Sequence, residues 1–221
     1  MHASILKRVG GVLLAVGLID IAVMIYCVAN HISYWSSFNI FSVVAGIFLL
    51  RGSLRAASLI RRLAVFILAA VLSLLIALPF LQPLDLTLTQ LRLDPVTFLG
   101  AVVMGAFALC LLFWVSRELG RQPIQAAFAS AGIKRRDMRI PAAAGVGLVV
   151  VVSIFLVAFL QLGGSAEHAK SMAEQQVGAG YRFHVRSLSM INNSQGKFVS
   201  GVVTAWNDHE IRNIPVHWEE R

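Results

Sequence analysis

Charged residues are scarce in this chain of 221 residues. Asp, Glu, Lys and Arg make up 14% of it, whereas ordinary soluble proteins carry about 25%. Apolar residues reach 57%, which excludes both a disordered chain and a typical water-soluble domain. The 17 glycines and 6 prolines are too few for a fibrous or low-complexity protein. The composition therefore indicates a multi-pass membrane protein.

Cysteine is also rare, and the two present, Cys27 and Cys110, both fall within apolar runs. Their places in two antiparallel spans put them at depths that differ by about 20 Å. Because a disulfide requires Cα atoms within about 7 Å, we expect no bridge between them. Both thiols are interpreted as small apolar packing residues.

The common catalytic and nucleotide-binding motifs are missing from the sequence. It contains no GxSxG, no Walker loop, no GxGxxG after a strand and no HExxH. We therefore expect a protein that is not an enzyme and that carries no cofactor.

Five long apolar runs are present instead. They cover residues 9–29, 34–50, 63–81, 96–116 and 140–162. Runs of this length can cross or nearly cross a hydrocarbon core of about 30 Å. The second run is the shortest, and the Tyr34–Trp35 pair at its start is suited to anchor it at the interface. The sequence thus predicts an all-α bundle of five transmembrane helices over 1–162, followed by a separate domain over 163–221.

The formal net charge is +8, and most of the basic residues lie in the connections between these runs. Twelve Lys and Arg residues lie in the N-terminal segment and after runs two and four, whereas the alternate connections hold only Arg92. The positive-inside rule then predicts a cytoplasmic N-terminus and, after five spans, a C-terminal domain on the other side. We expect a bacterial inner-membrane protein with this domain in the periplasm or outside the cell.

The basic residues also indicate partners. The cluster of Lys134, Arg135, Arg136 and Arg139 is expected to contact anionic lipid headgroups of the bilayer. Nucleic-acid binding is not expected, because no basic face lies on a folded domain. Lys7 and Arg8 precede the first run as they would in a signal peptide, but the length of the run favours an uncleaved anchor.

The C-terminal domain is predicted to be α+β, with one helix and a three-stranded antiparallel sheet. The helix covers Ala166–Val177 with Ser165 as its N-cap, and the strands cover Tyr181–Met190, Phe198–Trp206 and Ile211–Trp218. Pro215 predicts an edge position for the third strand. Because so short a domain has a marginal core, we expect it to lean on the membrane part, on a second copy or on a partner. The segment Leu84–Asp94 fits either a strand or a helix.

Asp20 is the most distinctive polar residue, since it lies about 16 Å into the first run, near the bilayer centre. An acid at that depth is costly and should face protein or water. It is either an ion or proton site or a hydrogen-bond partner for Asn39, Ser42, Ser73 or Ser153. The first alternative predicts a small transporter or ion-coupled channel.

Histidine and tryptophan provide further candidates in the C-terminal domain. His184 and His217 are weak metal ligands, because their spacing is scattered and their parity places them opposite the apolar face, in solvent. Trp206 and Trp218 are either core residues of the sheet or anchors for a protein partner.

These observations favour a non-catalytic inner-membrane protein whose C-terminal domain contacts a protein partner or a second copy. It would serve as an accessory or assembly component of a membrane complex. A transporter that uses Asp20 is the first alternative, and an extracytoplasmic metal-binding or sensing domain is the second.

Overall fold

The structure is a computed structural model that describes residues 2–31, 39–133, 137–161, 163–178, 180–193 and 196–220. Within these ranges the chain forms eight helices and three strands. The helices are α1 (His2–Ala29), α2 (Asn39–Leu50), α3 (Leu54–Leu81), α4 (Leu84–Leu93), α5 (Pro95–Glu118), α6 (Gln122–Ser130), α7 (Arg139–Leu160) and α8 (Gly164–Val177). The strands are β1 (Arg182–Asn193), β2 (Gly196–Trp206) and β3 (Ile211–Glu220).

Four of the helices are long and apolar enough to cross a membrane. These are α1, α3, α5 and α7, with 28, 28, 24 and 22 residues. The chain is mostly helical and has the spans of a multi-pass membrane protein. The helix α2 has 12 residues, a length of about 18 Å that falls short of a core of about 30 Å. The predicted anchor pair Tyr34–Trp35 lies outside the described residues, so a fifth span is not confirmed.

The chain divides into two compact units. The first unit contains Met1–Ala69 and Ala108–Gly145, and the second contains Ala70–Phe107 and Val146–Arg221. The helices α3, α5 and α7 contribute residues to both. The domain boundary predicted near residue 162 therefore falls inside the second unit, where the C-terminal segment is grouped with parts of these helices.

The core of the first unit forms around α1. The buried face of this helix repeats every three to four residues, at Leu6, Val9, Gly10, Leu13 and Gly17. A helix with this spacing presents one continuous stripe to its neighbours. Close by, the guanidinium of Arg8 lies 5.9 Å from the centre of the Trp114 ring, a cation–π contact between α1 and α5.

The helix α8 and the three strands form a unit that we call the C-terminal module. The strand order is β1-β2-β3, with both pairs antiparallel, which confirms the predicted meander. The helix packs on one face of the sheet, called here the α8 face. Its core consists of Ala166, Ala169, Ala173, Val185, Val203, Ala205, Ile214 and Val216.

Two details of the module test the sequence predictions. Pro215 lies on β3, which is an edge strand as predicted, where a missing N–H does not break an internal ladder. The cap prediction is wrong, because α8 begins at Gly164 with Gly163 at its N-cap and no side-chain cap bond. Ser165 therefore lies inside the first turn.

The sequence left residues 84–94 open between a strand and a helix, and the structure shows a helix there. Leu84–Leu93 is helical, with Leu86 and Thr89 buried. Arg182 at the start of β1 donates from Nη1 to Asp85 Oδ2 over 2.7 Å. Both side chains are largely exposed, so the pair contributes at most about 1 kcal/mol to stability. The contact shows that the start of β1 lies beside α4.

Candidate functional site

The second unit contains a cavity of about 430 Å³, which we call the sheet cavity. It lies between the C-terminal module, α4 and the C-terminal ends of α3 and α7. Its volume is within the range of small-molecule sites. Its apolar wall consists of Leu78, Leu81, Leu86, Leu156 and Leu160, with Ile211 from the sheet. Its polar wall consists of Gln82, Gln90, Gln161, His184, Arg186, Thr204 and Asn213.

The sheet contributes a row of three polar residues to this cavity. His184 pairs with Thr204, and Thr204 pairs with Asn213 on the next strand, so all three side chains lie on the face opposite α8. The Thr204 hydroxyl donates to Asn213 Oδ1 over 2.9 Å. Thr204 is buried, at 4% exposure. This hydrogen bond fixes both side chains in the wall.

His184 is half-buried in this wall, so it is less exposed to solvent than its parity predicts. The parity prediction placed it correctly on the face opposite α8, but that face borders the cavity. Burial lowers the pKa of His184 from its usual 6.5, and the positive charge of Lys170 lowers it further. The imidazole is therefore neutral near pH 7 and offers one donor and one acceptor nitrogen.

Arg186 lines the cavity from the same side of β1 as His184, two positions away, and it lies at a β-bulge. Val185 pairs with Val203 and Ser187 pairs with Val202, which leaves Arg186 as the extra residue of β1. Bulges of this kind change the direction of a side chain and often occur beside functional sites. Of the described residues that line the cavity, Arg186 alone carries a permanent charge, and none is acidic.

The helical side of the cavity is held by side-chain amides. Gln161 Nε2 donates to the Leu81 carbonyl over 3.3 Å, which joins the C-terminal ends of α7 and α3. Gln82 Nε2 donates to Gln90 Oε1 over 3.2 Å. The resulting wall combines fixed polar groups with leucine side chains, a combination suited to binding an amphiphilic molecule.

A second opening lies between α3 and α7 and has a volume of about 550 Å³. Ser73 and Ser153 are the polar residues in its lining, and the rest is apolar. Phe80 and Val157 line this groove, whereas their sequence neighbours Leu81 and Leu156 line the sheet cavity. The same two helices therefore border both openings.

Asp20 is half-buried on α1, in the first unit. Of its predicted hydrogen-bond partners, Ser42 is buried in the same unit, and Ser73 and Ser153 line the groove of the second unit. A role of Asp20 in transport stays a prediction.

The histidines do not assemble into a metal centre within the described part of the chain, where no group of three or more His, Cys, Asp or Glu residues could hold an ion. His217 pairs with Ser200, four positions from Thr204 along β2, and is exposed. With one strand between them, His184 and His217 are about 17 Å apart. They are too distant to ligate one ion together. Cys27 and Cys110 are both free thiols.

The two tryptophans of the module are largely covered. Trp206 is 4% exposed, and among the described residues its indole Nε1 has no hydrogen-bond partner. Trp218 is partly buried, and its ring packs edge-to-face with the ring of His168, with centroids 5.0 Å apart. Both rings thus contribute to packing of the module, and partner contact through them stays a prediction.

The predicted headgroup cluster is described only in part. Lys134, Arg135 and Arg136 lie outside the described residues, whereas Arg139 begins α7 and is exposed. Its backbone N–H donates to Asp137 Oδ1 over 2.9 Å. The contact of this cluster with anionic headgroups stays a prediction.

Sequence reasoning missed a cluster of Tyr181, Glu210 and Arg212 at one end of the sheet. The Tyr181 hydroxyl donates to Glu210 Oε1, and Arg212 Nε donates to Glu210 Oε2 over 2.9 Å. The hydrogen bonds from Tyr181 and Arg212 lower the pKa of Glu210, and the bond to Glu210 raises the pKa of Tyr181. The available signal was the position of Glu210 and Arg212 on either side of the start of β3.

A buried acid in the first unit was also missed. Glu118 is 4% exposed, and its Oε1 lies 2.7 Å from Arg121 Nη2. Arg61 lies close to the same turn, since a Cβ on Gly120 would be 3.0 Å from its Nη2. The sequence placed Glu118 in a basic connection without indicating its burial.

Comparison of the chain with protein-family models, curated proteins and solved structures found no match.

Proposed function

We propose that this protein is a non-catalytic inner-membrane protein that presents its C-terminal module to a protein partner in a membrane complex. The observation that carries the proposal is an exposed apolar surface at the end of the β1–β2 hairpin. This surface, called here the hairpin end, consists of Met190, Ile191 and Phe198, with exposures of 39%, 58% and 38%.

The hairpin end presents apolar side chains on both faces of the sheet. Met190 pairs with Val199 on the α8 face, whereas Ile191 and Phe198 pair with each other on the opposite face. A groove in a protein can enclose the hairpin and cover both faces at once. Exposed apolar groups of this kind mark interaction surfaces, and their placement favours a protein as the partner.

The sidedness of the proposal rests on the distribution of charge. The basic segments alternate with segments poor in Lys and Arg, which favours a cytoplasmic N-terminus. Five crossings, with the second apolar run returning the chain to the cytoplasmic side, would place the module on the extracytoplasmic side of a bacterial inner membrane.

Site-specific photo-crosslinking in native membranes tests the partner. A photoreactive phenylalanine in place of Ile191 is expected to yield an adduct with another polypeptide or with a second copy. The same group in place of Asp208, which is exposed at the β2–β3 turn, is expected to yield none. Phe198→Glu should abolish the adduct at position 191, whereas Ser200→Glu, an exposed position on the same face, should leave it.

Several results would contradict the proposal. These are equal adducts from positions 191 and 208, adducts with lipid alone, or recovery of the chain as a monomer after gentle extraction. Sidedness is tested separately, after replacement of Cys27 and Cys110 by Ala. A membrane-impermeant maleimide should label Asp208→Cys in intact spheroplasts and Ala131→Cys only after lysis.

A further inference from the structure

We propose that the sheet cavity binds the headgroup of an anionic phospholipid. The chemical class of the ligand follows from the cavity wall, which combines one permanently cationic side chain, fixed polar groups and leucines. This site is distinct from the hairpin end and does not depend on the proposed partner.

The position of the cavity fits a lipid. Leu78 and Leu81 belong to the last turn of α3, and Leu156 and Leu160 belong to the last turns of α7. Both helices are apolar enough to span a membrane, so their ends lie at the depth where headgroups meet acyl chains. A ligand at this depth is exposed to lipid along the helices and to water at the sheet.

The charge of the cavity selects an anion. Arg186 provides a guanidinium, whose planar donors match phosphate oxygens in two simultaneous hydrogen bonds. It lies two positions from His184 in β1, on the side of the strand that borders the cavity, and the bulge leaves it opposite no residue of β2. Because none of the described lining residues is acidic, nothing in the wall competes for this cation.

The polar and apolar walls accommodate the rest of the molecule. His184 and the Thr204–Asn213 pair offer neutral hydrogen-bonding groups for glycerol and ester oxygens. The leucines cover the first methylene groups of the acyl chains. The adjacent groove, which includes Phe80 and Val157, offers an apolar surface along the same two helices.

Native mass spectrometry of the full chain in detergent tests this site, with phosphatidylglycerol and phosphatidylcholine as probes. Both lipids carry the phosphate, but phosphatidylcholine also carries a cationic choline group, which the charge of Arg186 repels. Phosphatidylglycerol should therefore bind about tenfold more tightly than phosphatidylcholine. Arg186→Gln should remove this preference and Arg186→Lys should keep most of it. The matched control is Arg92→Gln, which removes the same charge from an exposed position of α4 outside the cavity lining and should change nothing.

Two results would overturn the proposal. One is an equal loss of phosphatidylglycerol binding in Arg186→Gln and Arg92→Gln, which would indicate a general charge effect. The other is displacement of phosphatidylglycerol by millimolar inorganic phosphate, which would indicate a site for a small soluble anion. Thermal unfolding of each variant in the same detergent checks that the fold is retained. If Arg186→Gln unfolds, the wild-type protein alone still tests the proposal, because equal affinities for phosphatidylglycerol and phosphatidylcholine would overturn it.

Discussion

Gly10 of α1 and Gly46 of α2 bring the backbones of their helices into direct contact. A Cβ on Gly10 would lie 2.9 Å from the Gly46 carbonyl oxygen, and a Cβ on Gly46 would lie 2.8 Å from the Gly10 carbonyl oxygen. Both atoms are backbone, so neither helix can yield without moving as a whole. Small residues allow such close packing in membranes, where lipid provides no hydrophobic force between helices. The α1–α2 pair therefore depends on both glycines.

Gly10→Ala is expected to destabilise the protein, because the added methyl group overpacks this contact. The expected loss is about 1–3 kcal/mol, measured as a lower midpoint of thermal unfolding in detergent. Gly11→Ala is the matched control, since a Cβ at Gly11 meets nothing within 4 Å. It should leave the midpoint unchanged or raise it, because alanine favours helix more than glycine does. Equal midpoints for the two variants would contradict the role assigned to the contact.

The sequence predicts this architecture where periodicity decides it. Alternation in the last forty residues identifies the three strands, and Pro215 identifies the edge strand. Composition identifies the long apolar helices. The sequence also contains Gly10 and Gly11 side by side, but no local pattern distinguishes the glycine in contact from the one in open space.

The candidate site is harder to predict for a physical reason. Period-two parity assigns His184 to the face opposite α8, but it does not say what covers that face. Only the tertiary arrangement, with α4 beside β1, places His184 in a cavity wall. The bulge at Arg186 interrupts the alternation for the residues that follow it, and no feature of the strand sequence marks it. The Tyr181–Glu210–Arg212 cluster likewise requires the register of β1 and β3.

Gly201→Ala is expected to destabilise the C-terminal module. A Cβ at this position of β2 would lie 2.5 Å from the Ser187 carbonyl oxygen and 2.8 Å from Leu188 Cδ2. The Ser187 carbonyl oxygen is a backbone atom next to the bulge, so relieving this overlap requires a shift of β1. Such a shift costs about 1–3 kcal/mol. Hydrogen exchange of the β1 and β2 amides should become faster. Gly180→Ala, where a Cβ meets nothing within 4 Å, should leave exchange unchanged; faster exchange in that variant too would contradict this account.

The cluster at the end of the sheet predicts a shifted phenol titration. The hydrogen bond to Glu210 raises the pKa of Tyr181 above its usual 10.0, with burial as a smaller cause. Glu210→Gln should therefore lower the pKa of Tyr181. The positive charge of Arg212 also lowers the pKa of Tyr181, so it should add to the decrease. Absorbance of the phenolate follows the titration in a Tyr26→Phe, Tyr34→Phe background. An unchanged Tyr181 pKa in Glu210→Gln would show that the hydrogen bond is not its cause.

The same cluster predicts a loss of stability in acid. Hydrogen bonds from Tyr181 and Arg212 lower the pKa of Glu210 below its usual 4.5. A carboxyl group whose pKa is lower in the folded state than in the unfolded state stabilises the fold at any pH above its unfolded pKa. This contribution is lost as the pH falls through the pKa of the folded state. Wild type should therefore lose stability below about pH 4.5 more steeply than Glu210→Gln does. Parallel thermal midpoints of the two proteins between pH 5 and pH 3 would contradict the prediction.

His184 predicts a second pH dependence in a separate window. Burial and the charge of Lys170 lower its pKa below 6.5, so the unfolded chain binds a proton at a pH where the folded chain does not. Stability is then fully present above the unfolded pKa and is lost as pH falls from about 6.5 toward the folded pKa. His184→Gln should remove this slope, whereas His217→Gln, at an exposed position, should retain it. Carbon-13 NMR of the imidazoles measures the pH midpoint at which His184 titrates, and this midpoint should lie below 6.5. A midpoint above 6.5 would contradict the prediction, because stability would then rise on acidification.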